Sequence, residues 1–192
     1  MVTIKIILGS TRPNRFGIQP ANYLLEMAKD YAGKATIELV DLQEINLPLS
    51  DYPTPPAMIE EPASAHGKAW AKIVGDADGF VFVTSEYNHS FPASLKNAID
   101  YLAKQWSQKP AAFVSYGAAA GGARAVDQLR AVVGHLNMYD ITEHMILPNY
   151  FANLDENGQF KFDDKHEAQA KDMLDKLIFW AEVMKEARTK LS

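Results

Sequence analysis

Three short stretches of this sequence combine residue types that handle anions and flat rings. The first is Gly9-Ser10-Thr11-Arg12-Pro13-Asn14-Arg15-Phe16-Gly17, with two hydroxyls and two guanidinium groups. Hydroxyl donors, backbone amides at a helix start and a guanidinium fork are what a phosphate group needs. No acidic residue precedes Glu26, so the reading is a phosphate loop with no carboxylate nearby to repel a dianion; a solvated turn with two exposed arginines is the other reading. Neither Gly-Lys-Ser/Thr nor Gly-x-Gly-x-x-Gly is present there, which points to a terminal monophosphate rather than a pyrophosphate.

The second stretch is Ser85-Glu86-Tyr87-Asn88-His89-Ser90-Phe91-Pro92. Its two aromatics in a polar setting suit a flat ring ligand. A structural turn with Phe91 in the core is the other reading of this stretch taken alone. The third is Ser115-Tyr116-Gly117-Ala118-Ala119-Ala120-Gly121-Gly122. Small residues let backbone approach a ligand, and glycines reach dihedrals closed to other residues. They would equally serve a tight turn. Arg124 follows, facing either ligand or solvent.

The elements that must position these stretches alternate between strand and helix. Residues 3–8, 35–41, 79–84, 110–116 and 139–147 read as strands. Residues 79–84 are nearly all apolar, which suits a central parallel strand covered on both faces. Residues 18–31, 64–76, 93–104, 122–136 and 164–190 read as helices, with Leu95, Ala98, Ile99 and Leu102 marking the buried side of one. Five of the ten prolines fall between 48 and 62, so that segment reads as a long surface loop. The pattern predicts one doubly wound α/β domain over residues 1–192, a parallel sheet with helices on both faces. Such folds bind ligands at the carboxyl ends of the strands. The three stretches above follow the strands ending at 8, 84 and 116.

Composition narrows the function further. The chain has 192 residues, 47% of them hydrophobic, and a net charge of −5. An acidic chain lacks the basic face of a non-specific nucleic-acid binder. With no cysteine, disulfides, thiolate metal centres and thiol catalysis are excluded. The five histidines are scattered without a clustered set of acids, so no metal site is expected. No apolar run approaches the roughly 20 residues of a membrane span, and no secretory signal opens the chain. A soluble cytoplasmic protein with neither nucleic-acid nor membrane partner is the expectation.

In this order, the three loops resemble the NADPH-dependent FMN reductase family. The most specific part is Glu86 through Asp100, Glu-Tyr-Asn-His-Ser-Phe-Pro-Ala-Ser-Leu-Lys-Asn-Ala-Ile-Asp. It is similar to the family's Pro-Glu-Tyr-Asn-x-x-x-Pro-x-x-Leu-Lys-Asn-Ala-x-Asp stretch. Gly9-Ser10-Thr11-Arg12 resembles its phosphate loop, and Ser115-Tyr116-Gly117 through Gly121-Gly122 its third flavin loop. Ser85 stands where the family usually has proline, Arg15-Phe16-Gly17 where many members have serine, and Ala120 likewise.

The resemblance implies a flavodoxin-like three-layer sandwich with a five-stranded parallel sheet, binding FMN and using NADPH, with NADH possible. Ser10, Thr11, Arg12, Arg15, Phe16 and Gly17 would hold the phosphate. Ser85, Glu86, Tyr87, Asn88 and His89 would line the ring. Ser115, Tyr116, Gly117, Gly121 and Gly122 would approach its pyrimidine side. Hydride chemistry would occur at flavin N5, with no obligatory catalytic side chain. The acceptor would be a quinone, flavin, azo compound or metal oxyanion. A homodimer or homotetramer is also implied, softly supported by Phe91, Tyr101 and Trp106 as interface candidates that would otherwise be core. Two rival readings stay open: an electron carrier without a nicotinamide site, and a flavin-free scaffold.

Overall fold

The computed structural model describes residues 1–50 and 52–191, with the side chain of Leu191 left aside. Asp51, inside the proline-rich loop, and Ser192 lie outside the described residues. Five parallel strands form one sheet: β1 (Val2–Leu8), β2 (Ala35–Asp41), β3 (Gly79–Ser85), β4 (Pro110–Gly117) and β5 (Tyr139–Pro148). Their spatial order is β2-β1-β3-β4-β5. In this doubly wound order the crossovers leave β1 in opposite directions, so a crevice opens between the loops after β1 and β3.

The helices are α1 (Ile18–Met27), α2 (Leu42–Ile45), α3 (Ala65–Gly75), α4 (Ala93–Asp100), α5 (Ala123–His135) and α6 (Asp164–Leu191). Two hydrophobic layers sandwich the sheet. Ile4, Ile6, Leu8, Val81, Val83 and Val114 face α1 and α6 through residues such as Leu24, Met173 and Leu177. Ile7, Phe80, Phe82 and Phe113 face α3, α4 and α5 through Trp70, Ile99 and Leu129. Successive strand residues point to opposite faces, which is why the run 80–83 in β3 is apolar on both: all seven residues of the strand are buried, the polar Thr84 and Ser85 at its carboxyl end included. The expected strands are present, each lengthened by one residue at one end except β2, which keeps its expected bounds.

Two expectations change. The helix read over 93–104 stops at Asp100. Its last carbonyls are claimed by indoles: Trp70 Nε1 donates to Ala98 O (2.8 Å) and Trp106 Nε1 to Ile99 O (3.1 Å). Apolar spacing continued past the point where hydrogen bonding turned elsewhere. Tyr101 and Trp106, each 1% exposed, are core residues of this chain rather than interface candidates. The long helix α6 is anchored at the amino edge of the sheet. There the buried Asp78 carboxylate accepts from Thr3 N–H (3.0 Å), Lys185 Nζ (2.8 Å) and Arg188 Nη2 (2.7 Å).

Candidate active site

The loop after β1 begins tightly. Gly9 N–H donates to Val83 O (2.9 Å), extending the β1–β3 ladder, and a Cβ at Gly9 would meet Val83 O at 3.1 Å. Ser10 is fully buried and its Oγ shares a 2.7 Å hydrogen bond with Tyr87 OH, 77 residues away. That bond joins the first and second loops directly. At the far end of the first loop, Gly17 caps α1 without any side-chain acceptor. Of the first amides of that helix, Gln19 N–H already donates to Phe16 O (2.9 Å) and Pro20 has none, which leaves Ile18 N–H at the positive end of the dipole facing the loop. A Cβ on Gly17 would meet Tyr116 OH at 2.7 Å.

The two arginines of this loop have different fates. Arg15 is turned to the second strand, pairing with Asp41 and donating to Gln43 Oε1. The expectation of a loop free of carboxylates is thereby corrected: the sheet order brings Asp41 beside it from 26 positions away. Arg12 is exposed and makes no ion pair among the described residues. Phe16 is buried and stacks on Tyr150, with centroids 4.1 Å apart. Thr11 lies across the loop, in a separate cavity of about 400 Å³ with Gln43, Ser94 and Asn97.

In the second loop, Asn88 and His89 occupy the tip of a two-residue turn, both with positive φ (51° and 67°). Tyr87 N–H donates to Ser90 O (2.7 Å) and Ser90 N–H to Tyr87 O (3.0 Å), closing it. The tip residues are exposed. Glu86 does not present its carboxylate to the cleft as a free base. It accepts from Arg124 Nη1 (2.8 Å) and from Arg124 N–H (3.2 Å), at the start of α5.

In the third loop, Ser115 Oγ donates to Gly121 O (2.8 Å), fastening the loop on itself. Gly122 has φ +89°, and a Cβ there would sit 2.8 Å from Ser115 Cβ and 3.0 Å from Tyr116 N. Only glycine fits such a position. Gly121 and Gly122 are buried and close the loop, leaving Gly117 to face the cleft.

These loops enclose a cleft of about 480 Å³ that includes Arg12, Phe16, Ser85, Glu86, Tyr87, Tyr116 and Gly117 in its walls. Tyr150 and Phe151, from the segment after β5, complete it. Sequence reasoning missed these two, although they also follow the carboxyl end of a strand. Tyr116 meets Phe16 edge-on at 5.1 Å and Tyr150 at 5.4 Å, so one wall is aromatic. Ser85 Oγ, Tyr116 OH and Arg15 Nε are buried in this wall without a hydrogen-bond partner. Burial pushes the Tyr116 phenol up to about 12. It stays a neutral donor at physiological pH.

The donor set fits a flavin mononucleotide. One end offers an unpaired guanidinium and an uncapped helix terminus, and the wall between carries orphaned hydroxyls. Buried polar groups are normally satisfied, so those hydroxyls mark where a polar ligand belongs. The fold and the cleft at its switch point define a flavodoxin-like protein with a nucleotide-sized site.

The family model for NADPH-dependent FMN reductases matches residues 2–152. An NAD(P)H-dependent FMN reductase of Schizosaccharomyces pombe is 43% identical over 141 residues, spanning 70% of this chain and 67% of that protein. A 2-hydroxy-1,4-benzoquinone reductase of Burkholderia sp is 30% identical over 185 residues, spanning 92% and 94% of the two chains. The solved FerB flavoenzyme, an NAD(P)H:(acceptor) oxidoreductase of Paracoccus denitrificans, shares the fold. It has a TM-score of 0.73 over 96% of this chain and 99% of that one, at 22% identity. The chain belongs to the NADPH-dependent FMN reductase family. Membership makes it an enzyme with FMN as cofactor and NAD(P)H as reductant.

Proposed function

We propose that the cleft between the loops after β1, β3 and β4 binds FMN and passes two electrons from NAD(P)H to a quinone or similar small acceptor. The observation that carries this reading is the pairing of one free arginine, Arg12, with buried unpartnered hydroxyls in a cleft at the β1/β3 switch point. FMN, when bound, supplies the hydride chemistry through its N5 position.

The chain's own residues bind and orient. Arg12 and the Ile18 N–H at the start of α1 hold the phosphate, and the buried Ser10 braces the loop from inside through Tyr87. Arg15 acts there through its Nε–H, since its other nitrogens are committed to Asp41 and Gln43. The Glu86–Tyr87 backbone and Gly117 line the ring, while Phe16, Tyr116 and Tyr150 exclude water from one side. Ser115, Gly121 and Gly122 shape the third loop from behind. Asn88 and His89 set its neighbour's turn without reaching the ring by side chain. Thr11 bears on the loop's outer face. No protein acid or base is required for hydride transfer itself.

The acceptor class is supported by the names of the relatives, among them the benzoquinone reductase of Burkholderia and an NAD(P)H:quinone oxidoreductase of Solanum tuberosum. Azo compounds, free flavin and metal oxyanions suit the same open cleft. A homodimer or homotetramer is supported by Leu49, Met58 and Phe151, large apolar side chains left 80%, 77% and 58% exposed. A cytoplasmic location accords with the cysteine-free sequence and with the lack, among the described residues, of any helix long and apolar enough to cross a membrane.

The deciding experiment is a visible spectrum of protein reconstituted with FMN, before and after anaerobic NADPH. Flavin bands that are retained and then bleach support the reading. Bands that persist would make the chain a carrier, and a colourless protein would end the assignment of the cleft.

A further inference from the structure

The turn that faces the cofactor cleft is one that its own sequence holds poorly. Asn88 and His89 are consecutive left-handed residues at its tip. Neither is glycine, and two non-glycine residues in succession make that conformation costlier than a glycine would. A single pair of backbone bonds between Tyr87 and Ser90 closes the turn, and so short a hairpin is not stable alone. Strained turns persist only where their surroundings impose them.

The imposing element is α5. Arg124 and Gln128 stand four residues apart, on one side of the helix. Arg124 binds the near leg of the turn. Its guanidinium and its backbone N–H both donate to the Glu86 carboxylate, whose side chain is only 10% exposed. Gln128 binds the far leg with both ends of its amide. Its Nε2 donates to His89 O (2.8 Å), and its Oε1 accepts from Ser90 Oγ (2.6 Å). Tyr87 sits between these tethers, with its hydroxyl on Ser10 of the phosphate loop. The helix N-terminus has Gly122 at φ +89° and no capping side chain of its own, so the Glu86 carboxylate also meets the positive end of its dipole.

We propose that Arg124 and Gln128 are positioning residues. Neither lines the cleft, yet together they set the height and tilt of the Glu86–Asn88 backbone against the flavin ring. The inference rests on the reading of the cleft as the FMN site. It goes beyond that reading in assigning orientation of the ring to the first two turns of α5, separately from capture of the phosphate by the first loop.

The test compares reconstituted wild-type enzyme with Gln128→Leu, Arg124→Ala and the conservative Arg124→Lys. Each is assayed for FMN Kd by flavin fluorescence, for the midpoint potential of bound FMN, for kcat and KM with NADPH and p-benzoquinone, and for apo-protein melting. Gln128→Leu and Arg124→Ala are expected to lower kcat roughly tenfold or more, as misplacement of reacting groups does. They should also move the flavin potential, while FMN Kd stays near wild type because the phosphate loop is untouched; apo melting stays near wild type for Gln128→Leu and falls for Arg124→Ala, which strands the 10%-exposed Glu86 carboxylate. Arg124→Lys, which keeps a cation on Glu86, should recover most of the loss. Unchanged kcat and potential in both variants would overturn the proposal. So would parallel loss of FMN binding and apo stability that Arg124→Lys does not rescue, since that pattern is merely structural. Wild-type protein that fails to bind FMN at all would show instead that the cleft assignment had failed, and this inference with it.

Discussion

Arg15, in the loop after the first strand, and Asp41, the last residue of the second, are joined by an ion pair at the rim of the cleft. Asp41 is 7% exposed and also caps the short helix α2, accepting from Gln43 N–H (2.9 Å). The pair divides the labour of two arginines that look equivalent in sequence. Two of Arg15's three nitrogens hold the first loop against β2, and only Nε is left without a partner. Arg12, three residues earlier, is exposed and makes no ion pair among the described residues.

That division predicts opposite signatures for two similar substitutions. Arg12→Ala should weaken FMN binding by about ten- to a hundredfold, the worth of a charge-assisted hydrogen bond, and leave apo melting unchanged. Arg15→Ala strands a buried carboxylate and should destabilise the apo-protein by about 2–4 kcal/mol. Fluorescence titration with FMN and urea unfolding of the apo-protein separate the two. Equal effects from both variants would contradict the assignment.

Tyr116 offers a second test. Its hydroxyl is buried without a partner, so Tyr116→Phe should leave apo stability unchanged or raise it by about 1 kcal/mol. FMN affinity should fall if that hydroxyl meets the ligand. The raised phenol also links to pH. Between its ordinary value of 10.0 and about 12, the folded protein keeps a proton that the unfolded chain has lost. Stability therefore falls with rising pH in that window, by up to about 1.4 kcal/mol per pH unit. The Phe variant should lose this component of the alkaline slope, leaving those of Tyr31, raised by burial and Asp175, and Tyr23, raised by burial and Glu167.

Lys109 runs the other way. It is 5% exposed just before β4, donating to Val74 O (2.8 Å) and Gly75 O (3.1 Å). Burial, aided by nearby Arg188, lowers its ammonium to about 8, against the pull of Asp78 and Asp76. Between about 8 and 10.5 the unfolded chain holds a proton that the folded one has shed. Stability from this group therefore rises with pH across that window and is lost as pH falls through 8. Lys109→Met should flatten that rise, measured by urea unfolding at pH 7.5 to 10. An unchanged slope would sink the account.

Gly122 is where the third loop tolerates no side chain. Gly122→Ala should cost about 1–3 kcal/mol, from a positive φ and from contact with Ser115 and Tyr116. Because the strain falls on the backbone next to Gly117, the variant should also retain less flavin after gel filtration. Normal retention would show that the loop relaxes away from the cleft.

Much of this protein is written in local pattern. Alternating apolar runs and helical spacing mark the five strands and the long helices, since burial on one face or two imposes a period that a short window displays. The Gly9–Gly17, Ser85–Pro92 and Ser115–Gly122 loops stand out because glycine, hydroxyl and guanidinium are what anion and ring binding require. The decisive contacts are of another kind. Ser10 meets Tyr87, Arg15 meets Asp41, and Glu86 meets Arg124 across 77, 26 and 38 residues. Tyr150 reaches Phe16 from beyond the fifth strand. No periodicity encodes such pairs, because they depend on strand order and register, which are settled only when the whole sheet assembles. Local sequence determined what each loop is able to bind; the order β2-β1-β3-β4-β5 decided which side chains remain free to do it.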